Sequence, residues 1–590
     1  MPASKRRATS PVRPTTVSPA KKPRTSDVED VPIAEKHGVI QRDFYPPEMS
    51  DERCAQYNNN EIPRPIEVLH KTLLATKAQR EKIKVGDTVV HWFKRDLRQI
   101  DNRALEAASK LARKNGANLV CMFIVSPEDY QAHLTSRARV DFDLRTLEVL
   151  KKDLAEKNIP LYVHTVENRK DVLGHILERL KEWQARHLFC NVEYEVDELR
   201  REAKLIKMAL KSGISVECLH DDVVVAPGAL KTGGGKQYSV YSPWYRAWVK
   251  HIHEHPHLLK ASEPPEPNSD DAKVKFKDIF EGTIPSAPPN KALSEADRDR
   301  LSSIFPPGEH EAHERLQRFL KEKISAYKDE RNIPAGQSTS ILSVHFSAGT
   351  LSSRTAIIAA RNSNSSSKLD AGNEGIKTWI SEIAWRDFYK HVLAHWPYIC
   401  MSKPFKYEYS NIEWEYDETK LQQWKDGMTG FPIVDAAMRQ CKAMWYIHNR
   451  CRMIVASFLA KDLLLDWRQG EIYFMENLID GDFASNNGGW GFSASTGVDP
   501  QPYFRIFNPL LQSEKFDPQG EYIRKWVPEL GAITGKAIHD PYGRGQGKVA
   551  EKAGYPKPMV DHSMARTRAL ERYKTGLGRA TANVGGGVHN

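Results

Sequence analysis

The chain has 590 residues, of which 40% are hydrophobic and 13 are tryptophan, so it can build several domains with substantial cores. It contains no run of eighteen or more apolar residues, so we predict no membrane span, and its seven cysteines form no CxxC pair, which favours a reduced intracellular protein over a zinc or disulfide scaffold. The net charge is +10, but seven positive charges lie in residues 1–26, so overall charge is weak evidence for nucleic-acid binding by the folded body.

Residues 1–86 are predicted to be a disordered, basic N-terminal extension, because its first sixty residues are polar and lack apolar periodicity. The clusters KRR at 5–7 and KKPR at 21–24 form a two-part signal of the nuclear-import type. An unspecific basic tail and a mitochondrial presequence both stay open, the latter because residues 1–26 contain no acid.

Residues 87–225 alternate between short apolar segments and helical periods, which predicts an α/β domain with a parallel, Rossmann-like sheet. The predicted strands are 88–93, 119–125, 161–166, 187–191 and 216–225. The predicted helices are 103–114, 137–157 and 171–182. The domain lacks GxGxxG, and the glycine spacing of KTGGGK at 231–236 does not fit a phosphate loop, so we interpret that run as a flexible turn.

The remaining chain divides into three parts. Residues 226–305 have a polar, proline-rich centre at 263–271 and are predicted to be an interdomain linker. Residues 306–555 show helical periods with few strand signals and predict an all-α domain. Residues 556–590 are predicted to be a tail that is poorly ordered beyond Tyr573.

The most informative motif is DGDFASNNGGWGF at 480–492. Two carboxylates, adjacent amides and paired glycines on one turn, followed by a tryptophan, favour a redox cofactor. Asp480, Asp482 and Asn486 can hydrogen-bond the ring edge of a flavin and a ribose hydroxyl.

Two predicted helices, 375–393 and 434–465, add polar groups to otherwise apolar faces. Trp379, Glu382 and Arg386 share one face of the first helix, and Asn449 and Arg452 project together from the second. Aromatic residues at such spacings are ordinarily core, but the charged groups would be costly there without partners, which indicates a lined cavity. Hydroxyls and backbone N–H groups just before a helical stretch suit a phosphate-bearing cofactor, although alone they are an N-cap signal; they belong to Tyr327, Thr339, Ser340, Ile341, Leu342 and Ser343.

Five segments, at 91–105, 379–391, 430–440, 447–464 and 480–509, resemble the photolyase/cryptochrome family, and most closely its class I cyclobutane pyrimidine dimer photolyases of microbial type. The resemblance runs from about residue 87 to residue 555, with the motifs in the same order. It implies that the helical domain holds FAD, whose fully reduced anionic form donates an electron when excited by light. The implied FAD contacts are Tyr327, Thr339, Ser340, Ile341, Leu342, Ser343, Trp379, Arg386, Asn449, Arg452, Asp480, Gly481, Asp482 and Asn486.

Within that set, the resemblance implies an ion pair between Asp480 and Arg452 beside the flavin ring. Asn486 would face the reactive ring nitrogen and help to hold the reduced state. An arginine that the family has between its phosphate-contacting residues is replaced here by Ile341, so diphosphate binding should depend more on hydroxyls and backbone.

The implied substrate is UV-damaged DNA containing cyclobutane pyrimidine dimers, with the dimer flipped out of the duplex into a pocket. The family pairs two tryptophans in this pocket, whereas this chain has Trp385 and Phe492. No net redox change, nucleophile or metal is implied, and the protein is expected to be a monomer. The implied DNA contacts are Arg331, Glu382, Trp385, Asn449, Arg450, Met453, Phe492, Arg505 and Gln512.

Trp490, Trp467 and Trp414 match the family's electron-relay tryptophans, which rereduce oxidised flavin under light. In the α/β domain, Asp197 and Glu198 stand where folate-binding relatives carry Asn-Glu, and Cys400 with Met401 stands where they carry Cys-Lys. The resemblance therefore favours a 5,10-methenyltetrahydrofolate antenna, while a deazaflavin antenna or none stays open. The expected location is the nucleus, with the mitochondrion as a second possibility.

Three other functions are weighed against dimer repair. A cryptochrome photoreceptor has this fold, but Asn486 argues against it, because plant-type receptors tend to have aspartate there and animal-type receptors cysteine. Enzymes that repair the (6-4) photoproduct have paired histidines in place of IHNRCRM at 447–453. A light-independent flavin oxidoreductase needs a nicotinamide site, and the sequence shows none.

Overall fold

The computed structural model describes residues 33–37, 39, 51–336 and 338–585. The α/β domain contains a five-stranded, fully parallel sheet in the order β3-β2-β1-β4-β5. The strands are Thr88–Phe93 (β1), Asn118–Val125 (β2), Leu161–Thr165 (β3), Ala185–Asn191 (β4) and Ser215–Leu219 (β5). The helices that accompany them are Arg103–Lys114, Pro127–Ala132, Arg137–Ala155, Val172–Glu182 and Val196–Lys211.

The sheet confirms the predicted fold class, because β1 and its neighbours are buried, apolar and β-branched. The fifth strand is shorter than predicted and ends at Leu219, before two aspartates. Asp221 forms ion pairs with Arg98 and Arg354 rather than continuing the sheet. The Val224 N–H donates to Asp387 of the helical domain over 2.8 Å, so the apolar residues after the strand join the two domains.

The helical domain surrounds a long central helix, Glu374–His395. The other helices of the domain precede or follow it in the sequence and pack into two large hydrophobic clusters. They are Glu309–Glu322, Tyr327–Glu330, Ser343–Ala348, Ser353–Asn362, Glu418–Asp426, Pro432–Met444, Asn449–Ser457, Trp467–Asn477, Phe483–Ala494, Pro509–Phe516, Glu521–Trp526 and Gly547–Lys552.

The predicted helix at 434–465 is wrong as a single element. The first helix ends at Met444, because Trp445 takes a left-handed conformation with φ of 53° and its C=O accepts from the Ile479 N–H over 2.8 Å. A new helix begins at Asn449, capped by the His448 side chain, and ends in a π-helical turn, Phe458–Asp462. The break starts a new helix next to Asp480.

The expectation of disorder over residues 1–86 is also wrong where the structure describes this segment. Short and long helices occur at Ile33–Lys36, Asp51–Asn58 and Pro65–Arg80. Tyr57 and Leu69 are buried in the core, and the Arg64 guanidinium donates to the His395 C=O over 2.7 Å. These few buried residues lie in a mostly polar segment, which hides them from a periodicity argument. The basic clusters at 5–7 and 21–24 lie outside the described residues.

The linker and the tail are more structured than the sequence indicated. Within residues 226–305, the helix Tyr241–Glu254 buries Trp244 and Trp248 against the helical domain, and the helices Asp271–Lys275, Lys277–Glu281 and Glu295–Ile304 follow it. The tail forms the helix His562–Gly585, which contradicts poor order beyond Tyr573. The Tyr573 hydroxyl donates to the Ala494 C=O over 2.6 Å, so this helix is docked on the domain. No helix of the described residues is long and apolar enough to cross a membrane.

The N-terminal helix Pro65–Arg80 supplies a matched pair of leucines that tests its docking. Leu69 is 0% exposed and Leu74 is 76% exposed. Leu69→Ala should lower the free energy of unfolding by about 2–5 kcal/mol, because it leaves a cavity in the core. Leu74→Ala should change it by less than about 0.5 kcal/mol. Urea denaturation measures both, and equal effects would show that this helix is not docked as described.

Candidate cofactor and substrate site

A cleft with about 590 Å³ of empty space opens among the helices Asn449–Ser457, Trp467–Asn477 and Phe483–Ala494. The residues that line it include eight of those named from the sequence, namely Asn449, Arg452, Met453, Asp480, Gly481, Asp482, Asn486 and Trp490.

Asp480 and Arg452 form the expected ion pair, with the guanidinium 2.7 Å from Asp480 Oδ2. Burial alone would lower the pKa of Arg452, but the Asp480 carboxylate raises it, so the arginine stays charged. The Arg452 Nε donates to the Ile447 C=O over 2.9 Å, which fixes the side chain. Asp480 Oδ1 is buried and has no hydrogen-bond partner among the described residues. This acceptor points to a donor supplied by a ligand.

Asp482 is held by a lysine that the sequence argument missed. Lys390 Nζ lies 2.9 Å from Asp482 and 2.9 Å from Asp222, and Arg386 also pairs with Asp222. Burial would raise the pKa of Asp482, but Lys390 and Arg386 hold it far below its usual value. Asp482 Oδ1 also accepts from the Ser485 N–H over 2.9 Å and so caps the helix Phe483–Ala494.

Asn486 is oriented by the backbone of the neighbouring helix. Its amide nitrogen donates to the Glu471 C=O over 3.0 Å, so the amide oxygen is left to accept from a ligand in the cleft. The Glu471 carboxyl accepts from Asn487 over 2.7 Å, and burial raises the pKa of Glu471 to about 7. The Glu471 backbone therefore orients Asn486, while the Glu471 carboxyl contacts the adjacent Asn487.

The loop before the helix Ser343–Ala348 contributes hydroxyls and backbone. The Thr339 and Ser343 side chains reach the phenol of Tyr446, a residue that the sequence argument did not name, and Arg452 lies over the Tyr446 ring at 5.6 Å. Ser340 Oγ accepts from the Leu342 N–H, and the Leu342 side chain is fully buried, so Leu342 can offer a ligand only its backbone. Ile341 has φ of 53°, which is unusual for a β-branched residue.

Tyr327 and Trp379, two of the predicted FAD contacts, are not among the residues that line this cleft. Both are buried, and both pack on the Phe319 ring, with centroid distances of 5.6 and 5.1 Å. The Tyr327 hydroxyl hydrogen-bonds Arg331.

Arg331, Glu382 and Trp385 do not line the cleft itself; Arg331 and Glu382 act electrostatically on Arg450, which follows the cleft-lining Asn449, and we call this neighbouring surface the mouth. Glu382 forms an ion pair with Arg331, although the sequence argument gave these residues separate roles. Trp385 stacks on Tyr241 with ring centroids 3.6 Å apart, a partner that comes from the predicted linker and was missed.

Other predicted DNA contacts vary in exposure. Arg450 lies over the Phe516 ring at 4.4 Å and donates to Asn332. Asn449 and Arg505 are exposed, and Met453, Phe492 and Gln512 are half-buried. Next to two of these, Phe504 is 58% and Leu511 is 59% exposed, apolar surface that the sequence gave no signal for.

Of the three tryptophans predicted to form a relay, Trp490 and Trp467 are both buried and Trp414 is half-buried. The Trp490 ring lies against Gly470, where an added Cβ would come within 2.0 Å of it, so Trp490 packs directly on the helix that begins at Trp467. The Glu415 N–H donates to the Leu464 C=O over 2.9 Å and holds Trp414 beside the segment leading to Trp467.

A second cavity, with about 850 Å³ of empty space, lies at the carboxyl ends of the parallel strands, where such sheets bind ligands. Of the three predicted antenna residues, Glu198 lines it, whereas Asp197 and Cys400 are not among the lining residues. Cys400 is buried and lies close enough to Glu195, Asp197 and Glu198 to sense their charges. Burial raises the pKa of the Cys400 thiol. Leu478 and Gly481 line both cavities, so the wall between them is thin.

Comparisons with known proteins agree with this two-domain arrangement. A family model described as DNA photolyase matches residues 89–267, and one described as the FAD binding domain of DNA photolyase matches residues 379–575. The chain is 57% identical over 588 residues to the deoxyribodipyrimidine photo-lyase of Neurospora crassa, which covers 98% of this chain and 96% of that one.

A mitochondrial deoxyribodipyrimidine photo-lyase of Saccharomyces cerevisiae is 34% identical over 573 residues, covering 92% of this chain and 96% of that one. Among solved structures, a class III photolyase from Agrobacterium tumefaciens matches with a TM-score of 0.71 and 31% identity, over 84% of this chain and 98% of that one.

The raised pKa of Glu471 predicts a pH effect on stability. The unperturbed pKa is 4.5, so between about pH 4.5 and 7 the folded protein binds more protons than the unfolded chain, and stability falls as the pH rises. Glu471→Gln removes this loss and should be more stable than the wild type at pH 8, by up to about 3 kcal/mol, but not at pH 4.5.

Chemical denaturation of the flavin-loaded protein at both pH values measures the difference, with the exposed Glu295→Gln as control. A stability difference that does not change with pH would contradict the assignment.

Proposed function

Because the chain belongs to the photolyase/cryptochrome family, we propose that it is a light-driven DNA-repair lyase that splits cyclobutane pyrimidine dimers in UV-damaged DNA. The observation that carries this proposal is the convergence of Arg452, Asp480, Asp482 and Asn486 on one cleft. Reduced FAD, when bound there, supplies the light-excited electron that splits the dimer.

The residues present fit FAD. Asp480 Oδ1 is a buried acceptor without a partner among the described residues. Asn486 lines the same cleft, and its amide nitrogen is already bonded to Glu471, which leaves its oxygen as an acceptor. These two acceptors could bind the N–H groups at the edge of a flavin ring. Thr339, Ser340 and Ser343, with the loop backbone, would hold the diphosphate and ribose in place of the arginine that Ile341 replaces.

Arg452 is the cation lining the cleft that would face an anionic, reduced ring, and Asp480 keeps it charged. Lys390 and Arg386 are balanced by Asp222 and Asp482, so they add no net charge. The low dielectric of a buried site strengthens the interaction between Arg452 and a nearby negative charge.

The mouth would receive the flipped dimer. Trp385, held by its stacking on Tyr241, and Phe492 with Met453 offer apolar walls for a lesion that has lost its aromatic faces. Glu382 and Asn449 would hydrogen-bond its carbonyl and N–H edges. Arg331, Arg450 and Arg505, with Gln512, would contact the DNA backbone and set its register.

Trp490, Trp467 and Trp414 would carry electrons from the surface to oxidised FAD, separate from the repair electron. Their packing order and the partial exposure of Trp414 support this role.

The second cavity supports an antenna site, and 5,10-methenyltetrahydrofolate at Asp197, Glu198 and Cys400 is our assignment for it. The thin wall at Leu478 and Gly481 would favour energy transfer to FAD. We assign the protein to the nucleus because residues 1–26 contain two basic clusters. The mitochondrial relative in yeast suggests that part of the protein is in the mitochondrion. We expect the protein to act as a monomer.

Glu382→Ala tests the lesion contact. It removes a carboxylate that would hydrogen-bond the dimer, so light-dependent repair should fall at least about tenfold. Glu374→Ala, at the exposed start of the same helix, is the matched control and should repair like the wild type. Recovery of thymine absorbance in a dimer-containing oligonucleotide measures both, with the flavin reduced beforehand. Full repair by Glu382→Ala would contradict the site assignment without contradicting the family.

Trp414→Phe tests the relay. It should abolish light-driven reduction of oxidised flavin while leaving repair by chemically reduced enzyme unchanged, because only the first process uses the relay. Trp526→Phe, another partly buried tryptophan, should affect neither process. Flavin absorbance under blue light measures the first and dimer splitting the second. Normal photoreduction in Trp414→Phe would remove this tryptophan from the route.

A further inference from the structure

The second cavity contains a histidine surrounded by carboxylates, and we propose that it binds one divalent transition-metal cation. The donor groups are the imidazole of His133 and the carboxylates of Asp197 and Glu198, with Glu195 behind them. One ligand atom from each of these four residues lies within 4.8 Å of the others.

The histidine is oriented as a metal ligand would be. His133 Nδ1 lies 2.8 Å from Glu195 Oε2 and hydrogen-bonds it, so the carboxylate fixes the ring. With Nδ1–H donating to Glu195, Nε2 carries its lone pair toward Asp197 and Glu198. A carboxylate that receives the second ring N–H is the usual support of a metal-binding histidine.

The open side of the ring faces two carboxylates. Nε2 lies 2.8 Å from Glu198 Oε1 and 3.3 Å from Asp197 Oδ2. Glu198 Oε2 is buried without a hydrogen-bond partner within the described chain. Ligand atoms about 2.0–2.2 Å from a zinc ion are separated by roughly 3 Å, which matches these spacings.

The charged side chains around His133 have a net negative charge that a bound cation would balance. The ion pairs connected to His133 join six carboxylates to four lysine and arginine side chains, so two negative charges are in excess when the imidazole is neutral. The carboxylates are Asp129, Glu193, Glu195, Asp197, Glu198 and Glu202, and the bases are Lys94, Arg95, Arg169 and Arg201. One divalent cation balances this excess, and without it protons must do so.

The alternative to a metal is an imidazolium at His133 that serves as one more counter-ion in the network.

Donor chemistry selects the class of metal. An imidazole nitrogen binds zinc and other first-row transition metals better than magnesium or calcium. The two carboxylates add oxygen ligands that zinc and manganese both accept. His133 and Glu198 both line the cavity, so water or a bound molecule can complete the coordination. Asp197 and Glu198 are the same side chains that we assign to the antenna, so the metal would compete with an antenna that contacts them.

Zinc titration of chelator-treated, flavin-loaded protein tests the proposal. Wild type should take up one Zn²⁺ per chain at this site, and excess Mg²⁺ should not displace it. Asp197→Asn and Glu198→Gln should each weaken binding about tenfold or more. Asp129→Asn is the matched control, because it removes the same charge from the same network but no ligand, and should change the affinity less than about threefold.

Flavin content and circular dichroism show whether each variant is folded, and X-ray absorption should show one imidazole nitrogen with oxygen ligands. Three results would overturn the proposal. They are the absence of stoichiometric zinc in wild type, unweakened zinc binding in both ligand variants (a surface histidine site), or an equal loss of zinc affinity in Asp129→Asn. The last result would show that the variants act only through the negative charge of the cavity.

Discussion

Two aspartates on one buried turn, Asp480 and Asp482, impose the constraint on which the cofactor cleft depends. A buried carboxylate stays ionised only if a cation is held against it, since desolvation otherwise favours its neutral form. Arg452 meets this need for Asp480 and Lys390 for Asp482. The helix break at Trp445 places Arg452, and the long helix Glu374–His395 places Lys390.

The same requirement joins the two domains. Lys390 and Arg386 are also paired with Asp222, which follows the last strand of the α/β domain. Nearby, the buried Arg354 of the helical domain pairs with Asp101 and Asp221 of the sheet domain. Breaking one partner of such a network leaves a buried charge without compensation, so the relative position of the cavities is strongly specified. The cleft and the second cavity therefore keep a fixed separation, with Leu478 and Gly481 between them.

Much of this arrangement could be predicted from the sequence because it is encoded locally. The strand β1 and the helix Arg103–Lys114 were predicted residue for residue, and the motif at 480–492 identified the cleft. Lys390, Asp222 and Tyr241 were missed because their roles arise from contacts between distant segments, which no periodicity reports. The docked helices Asp51–Asn58 and His562–Gly585 were missed for a related reason: each is anchored by a few residues, such as Tyr57 and Tyr573, in a polar stretch.

The most direct test of the central claim is light-dependent repair by the wild-type protein. The purified protein, with its flavin reduced, is given matched oligonucleotides that contain either a cyclobutane thymine dimer or a (6-4) photoproduct, in blue light and in darkness. Thymine absorbance should return for the cyclobutane dimer in light alone. No light-dependent recovery, or recovery confined to the (6-4) lesion, would contradict the central claim.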